Sequence, residues 1–195
     1  VKYAEHNEPG LLANLSSCRS PQQMFGSLVK RYRAKELGKN PTDIFVISIM
    51  PCTAKKFEAT RPEFNHEGVW DIDLVLTTQE LAQMIRESGV RFDSLEVESF
   101  DTPFGFTTGA GVIFGATGGV SEAVLRAAYE IVTSETLDQV NFEAVRGFKG
   151  VKEFTVHLKG NEIKIAVVHG LGNAKKLVEK IKKGEASYHL VEVMT

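Results

Sequence analysis

Cysteine is nearly missing from this chain: Cys18 and Cys52 are the two among 195 residues. Two are too few for a disulfide framework and fit a reducing compartment or a metal role better. They form no Cys-x-x-Cys pair, so dithiol exchange has no motif behind it. An excess of one charge is missing too. A net charge of -2 gives no footprint for nucleic acid or an acidic membrane surface. No apolar run approaches the ~18 residues of a membrane span, and no signal-peptide pattern opens the chain. His6, His66, His157, His169 and His189 show no metal spacing such as His-Glu-x-x-His. A Gly-x-Ser-x-Gly elbow, a triad, repeats and low-complexity stretches are also absent. Carboxylates are plentiful but fall mostly on predicted helix faces, so no acid–base pair stands out.

What remains reads as an α/β protein of one domain or two small lobes. A chain of this length buries roughly 70% of its unfolded surface, enough for a core without staples. Residues 8–20 read as loop and short helix, with a turn at Asn7-Glu8-Pro9-Gly10. Ser20-Pro21 opens a helix to about Leu37, since serine caps and proline starts helices well. Its spacing turns Met24, Leu28 and Tyr32 inward and leaves Lys30, Arg31, Arg33 and Lys35 in solvent. Ile44 to Ile49 reads as a buried strand, residues 57–70 as an aperiodic excursion, and 71–76 as a second strand. Thr77-Thr78 caps a helix to about Ser88, with Leu81, Met84 and Ile85 inward. An apolar, Gly- and Thr-rich loop over 97–112 has the content of a site lining. A helix follows from about Ser121 to Ser134. Strands at 154–158 and 163–168 flank the hairpin signal Lys159-Gly160. A helix over 174–183 and a strand over 188–194 complete a βαβ unit with a parallel pair. The opening valine and the closing strand both suggest a piece of a longer protein.

Two places carry chemistry. Met50-Pro51-Cys52-Thr53-Ala54-Lys55-Lys56 puts a thiol where the first strand ends, the usual ligand end of an open α/β sheet. Ammonium groups nearby favour the thiolate, which binds soft metals. Cys52 is therefore either a metal ligand with Lys55 as electrostatic partner or a small apolar filler. Gly115-Ala116-Thr117-Gly118-Gly119 before a helix either exposes N–H groups to an anion or makes a tight helix entry. Its spacing is neither a Walker loop nor a Rossmann fingerprint.

Four blocks together, in order, resemble the catalytic H-cluster domain of iron-only ([FeFe]) hydrogenases. They are Leu15 to Gly26, Met50 to Glu58, Gly109 to Ala123, and Val191-Glu192-Val193-Met194. The resemblance implies two α/β lobes, with mostly parallel sheets flanked by helices and the cluster between the lobes. It implies the reaction 2H⁺ + 2e⁻ ⇌ H₂ at a [4Fe–4S] cubane bridged to a diiron unit bearing carbonyl, cyanide and dithiolate. Four cysteines hold such a cubane. Cys52 matches one, and the other three would lie outside the chain.

The resemblance also implies roles for individual residues. Lys55 would donate to a cyanide and Ser16 would belong to a proton relay. Pro21, Gln22, Met50, Phe114 and Met194 would line the diiron pocket. Ser20 is read as a helix cap, and Cys18 as buried filler with no ligand role. The isolated chain is expected to be inactive. Electrons would come from ferredoxin or NAD(P)-linked iron–sulfur carriers, with no nucleic acid or membrane insertion. The setting implied is the cytoplasm of an anaerobic bacterium. A rival reading is a non-catalytic hydrogenase-like iron–sulfur assembly or sensory protein.

Overall fold

The computed structural model describes residues 1–106, 109–137 and 149–194, and the backbone of 143–144. The chain divides into two compact units, Val1–Pro103 and Phe104–Thr195. The first opens with helix α1 (Lys2–Asn7) and a 3₁₀ turn (Pro9–Asn14). Helix α2 (Pro21–Leu28) begins as its sequence dictates: Pro21 is its first residue, and Ser20 Oγ accepts from the Gln23 N–H at 3.4 Å. The helical run then widens into a π turn (Val29–Arg33) before α3 (Ala34–Glu36).

The inward face of this run is not the one that apolar spacing predicts. Met24, Leu28 and Tyr32 are exposed, while Gln22, Gln23, Gly26, Lys30 and Ala34 are buried. Gly26 explains part of the reversal. A Cβ there would lie 2.4 Å from the Asp71 carbonyl oxygen, so the helix backbone rests directly on the lead-in to a strand. Lys30 explains the rest. Its Nζ lies 2.8 Å from Asp73 Oδ2 and donates to the carbonyls of Ile44 and Pro41. Asp73 also accepts from the Val46 N–H at 2.6 Å. A lysine can be buried when its charge is paired and its N–H groups are used.

Strand β1 (Ile47–Met50) leads to α4 (Ala54–Ala59), the hairpin β2 (Asn65–His66) and β3 (Val69–Trp70), β4 (Leu74–Thr77) and α5 (Thr78–Glu87). The stretch over 57–70 is thus ordered as the end of α4, a 3₁₀ turn and a hairpin rather than an aperiodic excursion. β1 and β4 run parallel, in register from Ile47 with Leu74 to Met50 with Thr77. β1 is shorter than predicted and is not buried on both faces. Ile47 and Ile49 are about half exposed, at 50% and 49%, whereas Val46 and Met50 pack on the core of Ala59, Ile72 and Val75. A strand covered on one face alternates in exposure. Thr77 and Glu80 close a reciprocal capping box at the start of α5. Leu81 and Ile85 are partly covered, but Met84 is exposed, contrary to the predicted inward trio.

The second unit holds α6 (Gly109–Ile113), α7 (Gly119–Thr133), β5 (Glu143–Ala144), β6 (Val151–Leu158), β7 (Asn161–His169), α8 (Leu171–Lys182) and β8 (Leu190–Met194). Helix α6 begins inside the stretch read as loop and ends one residue beyond it; Thr107 and Thr108 of that stretch fall outside the described residues. The sheet runs β5-β6-β7-β8, with β7 and β8 parallel and the other pairs antiparallel. Lys159 (φ 47°) and Gly160 (φ 82°) make the two-residue turn between β6 and β7. The predicted βαβ closure is present as β7-α8-β8, with its helix starting earlier, at Leu171. Alternation along β6 and β7 sends Val151, Ala166 and Val168 toward Ala174 and Leu177 of α8. Val156 and Ile165 face the other way, toward Leu125 of α7. The class is α/β, with one parallel and one mixed sheet flanked by helices.

Two tests follow from this packing. Gly26→Ala should cost about 1–3 kcal/mol, because a methyl must push apart a helix and the backbone beneath it; urea unfolding measures this, and an unchanged midpoint would refute the contact. The Glu80 carboxyl is held at about 2 rather than 4.5, first by the Lys56 ammonium and then by the Thr77 N–H and hydroxyl. A lowered acid stabilises the fold above its ordinary value and loses that contribution as pH falls toward 2. Glu80→Gln should therefore lower the thermal midpoint at pH 7, with the gap closing between pH 4.5 and 2.

Candidate functional site

The chain leaves β1 at Met50, turns through Pro51 and Cys52, and enters α4 after Thr53. Cys52 is a free, half-buried thiol at the carboxyl end of a parallel strand. In open α/β sheets that end is where ligands bind. Both following lysines face carboxylates. Lys55 Nζ lies 3.0 Å from Glu58 Oε2, and Lys56 Nζ lies 2.6 Å from Glu80 Oε1. An ammonium has three N–H donors. Glu58 occupies one of those on Lys55 and is the electrostatic partner that sequence reading did not find.

Helix α2 holds this turn from its own first residues. Ser20 Oγ donates to Glu58 Oε2 at 2.9 Å, so the helix cap also anchors the counter-ion of Lys55. Gln22, 3% exposed, donates from Nε2 to the Lys55 carbonyl at 3.3 Å. Its Oε1 accepts from Ser48 Oγ at 2.7 Å. One amide thus ties the first turn of α4 to β1, with one N–H still to give. Beside it, Gln23 is fully buried, and neither its side-chain oxygen nor its nitrogen has a partner. Nothing in the residue pattern marks Gln23 out.

The other candidates of the first unit are placed less centrally. Met50 is half-buried against Ala59, Ile72 and Val75. Pro21 is exposed as the first residue of α2. Ser16 is exposed, and its Oγ accepts from the Cys18 N–H at 3.1 Å. Cys18 is exposed as well, which corrects its reading as buried filler: the short turn around Ser16 keeps it at the surface. Asp71, almost fully buried, pairs with Arg19 just upstream of α2, with His66 3.7 Å away.

Phe114 and Met194 belong to the second unit, and both are half-buried. The glycine loop after Phe114 proves to be a tight helix entry that also holds an anion, the chain's own Glu192. Gly118 (φ 93°) donates its N–H to Glu192 Oε1 at 3.1 Å, and the Ser121 N–H donates to Oε2 at 2.7 Å. A Cβ on Gly119 would lie 1.7 Å from the Ile113 carbonyl oxygen, so no other residue fits there without moving the backbone. Among the described residues, no three or more His, Cys, Asp or Glu side chains gather as a metal site, and no helix is long and apolar enough to cross a membrane.

Comparison with known proteins gives a consistent result. The family model for the iron only hydrogenase large subunit, C-terminal domain, matches residues 1–195. The chain is 50% identical over 194 residues to the NADP-reducing hydrogenase subunit HndD of Solidesulfovibrio fructosivorans, covering 100% of this chain and 33% of that protein. It is 35% identical over 201 residues to the cytosolic Fe-S cluster assembly factor narfl of Xenopus tropicalis, covering 100% of this chain and 42% of that protein. Its fold matches a variant of apo [FeFe]-hydrogenase HydA1 from Chlamydomonas reinhardtii, with a TM-score of 0.87 and 37% identity. That match covers 99% of this chain and 56% of the other. The chain thus spans between a third and a little over half the length of these proteins.

The Lys55–Glu58 pair can be tested without any cofactor. Glu58→Gln should raise acylation of Lys55 by an amine-reactive ester several-fold, since the ammonium loses the carboxylate that holds it. Peptide mass spectrometry reads the change, and equal labelling in both proteins would show that the pair does not persist in solution.

Proposed function

The chain belongs to the family of the iron-only hydrogenase large subunit, C-terminal domain, and on that premise we propose that it is part of an [FeFe]-hydrogenase whose complete form interconverts protons, electrons and H₂. The observation that carries this reading is the turn from β1 into α4. There a free thiol, Cys52, is followed by Lys55, whose backbone and ammonium are both fixed from α2.

The donor set fits one corner of a cubane. Cys52 is a free thiol with access to solvent, and thiolates are the ligands of [4Fe–4S] clusters. A cubane takes four, and the chain contains two cysteines, of which Cys18 sits on an exposed turn. In this reading the remaining cysteine ligands are supplied from outside these 195 residues. When bound, the diiron part of the cluster supplies the redox chemistry that joins two protons and two electrons.

The chain's own residues bind, orient and exclude. The two N–H groups of Lys55 not given to Glu58 can donate to an anionic ligand, a charge-assisted contact. Gln22 holds the Lys55 backbone in place and keeps one amide N–H to offer. Met50, Phe114 and Met194 supply soft apolar surface that keeps water away and tunes potential. Pro21 is the first residue of α2, next to Gln22 in sequence. The Ser16 hydroxyl, which accepts from Cys18, keeps its own O–H free to pass a proton.

Ferredoxin or NAD(P)-linked iron–sulfur carriers are the electron partners in this reading, supported by the 50%-identical relative, an NADP-reducing hydrogenase subunit. Two free thiols, one exposed, support a reducing setting such as the cytoplasm. A role in iron–sulfur assembly is the second reading, kept because an assembly factor is 35% identical over the whole chain. The higher identity to the hydrogenase subunit, together with Lys55, Met50, Gln22 and Phe114 in one chain, favours the enzyme.

In the full-length protein, Cys52→Ser and Lys55→Asn should each abolish H₂ evolution. Gas chromatography with a reduced dye measures it, and parental rates in either variant would reject that residue's role. The isolated 195-residue chain should hold no stable cluster after reconstitution; four tightly bound irons would contradict the missing-ligand argument.

A further inference from the structure

The glycine loop and β8 are joined by one side chain, and both carry residues that the hydrogenase reading places around the diiron unit. Phe114 stands at the head of the loop; Met194 ends β8 two residues after Glu192. Residues two apart on a strand share a face, and Glu192 and Met194 are both half-buried while Val193 between them is exposed. The Glu192 carboxylate accepts from Gly118 at 3.1 Å and Ser121 at 2.7 Å, one oxygen to each N–H. Both donors lie at the amino end of α7, a 15-residue helix, and the Gly119 N–H between them is taken by the Ala116 carbonyl at 2.9 Å. The Ser121 hydroxyl is buried and makes no hydrogen bond, so it does not serve as an alternative anchor.

We propose that Glu192 is a positioning residue of the hydrogenase site: by gripping the start of α7 it fixes, in one contact, the strand that ends in Met194 and the loop that begins with Phe114. The geometry suits the task. A carboxylate offers two acceptors at a fixed separation, and here each meets a backbone donor, so neither sliding of β8 nor rotation of the loop is free. Backbone donors hold a carboxylate more rigidly than long side chains would, because they bring no rotamers of their own. Next to Gly118, the backbone of Gly119 approaches the Ile113 carbonyl too closely for any Cβ. This inference rests on the reading of Phe114 and Met194 as pocket wall.

Glu192→Gln in the full-length protein tests it with two readouts. The amide keeps the size of the side chain and one acceptor oxygen, so β8 should still pack. In cluster-free protein, exchange of the Gly118 and Ser121 amides should quicken about tenfold, while amides of β6 and β7 stay as protected as before. In cluster-loaded protein, the infrared stretches of the carbonyl and cyanide ligands should shift or broaden, as they should in Phe114→Ala and Met194→Ala. Unchanged amide exchange overturns the proposal, because the grip is then absent. Faster exchange with parental infrared bands, while the two wall variants move them, also overturns it and leaves Glu192 as a helix cap. Parental bands in both wall variants reject the pocket reading itself, and the proposal with it.

Discussion

Lys55 is held twice from the start of α2, and the arrangement of the first unit's candidate site depends on that double hold. Gln22 takes its carbonyl and Ser20, through Glu58, takes its ammonium. Ser48 completes the tie by donating to Gln22 from within β1. Strand end, α4 and the start of α2 are therefore linked to one another, and Cys52 lies in the turn between β1 and α4. Each contact alone is worth roughly 1 kcal/mol net. Their value is geometric: together they tie the turn that carries Cys52 to α2 and β1.

The burial of α2 obeys the same logic. A helix that turned Met24, Leu28 and Tyr32 inward would carry Gln22 out to solvent. The chain instead buries a polar stripe and satisfies two of its members from other elements, with Asp73 and two carbonyls around Lys30 and with Ser48 around Gln22, while the Gln23 amide has no partner. Gly26 lets the stripe come close enough for those bonds to form. The second unit fixes its loop similarly, by a charged group meeting backbone partners.

Local signals were legible in the sequence, and long-range ones were not. The Ser20-Pro21 helix start, the Thr77 cap, the Lys159-Gly160 turn and the closing βαβ unit each rest on neighbouring residues. Apolar spacing gives the wrong inward face for α2 because the partner of Lys30 lies far along the chain. Glu192 was missed for the same reason: Ser121 is 71 residues away from it. Cys52 could be singled out from a strand followed by Cys and two Lys. Phe114, Met194, Gln22, Pro21, Met50 and Ser16 came only with the four-block resemblance, since no spacing rule distinguishes them from ordinary core or surface. The family match extends over the whole chain, which is why the blocks were sufficient to name the family while leaving residue roles to experiment.

The proposed function turns on Cys52 reaching iron. Iron-edge anomalous diffraction from crystals of the complete, cluster-loaded protein measures it directly. Iron density is expected within bonding distance of Cys52 Sγ, with the Lys55 ammonium turned toward the diiron unit. A cubane held by four other ligands, with the Cys52 thiol unbound, would contradict it.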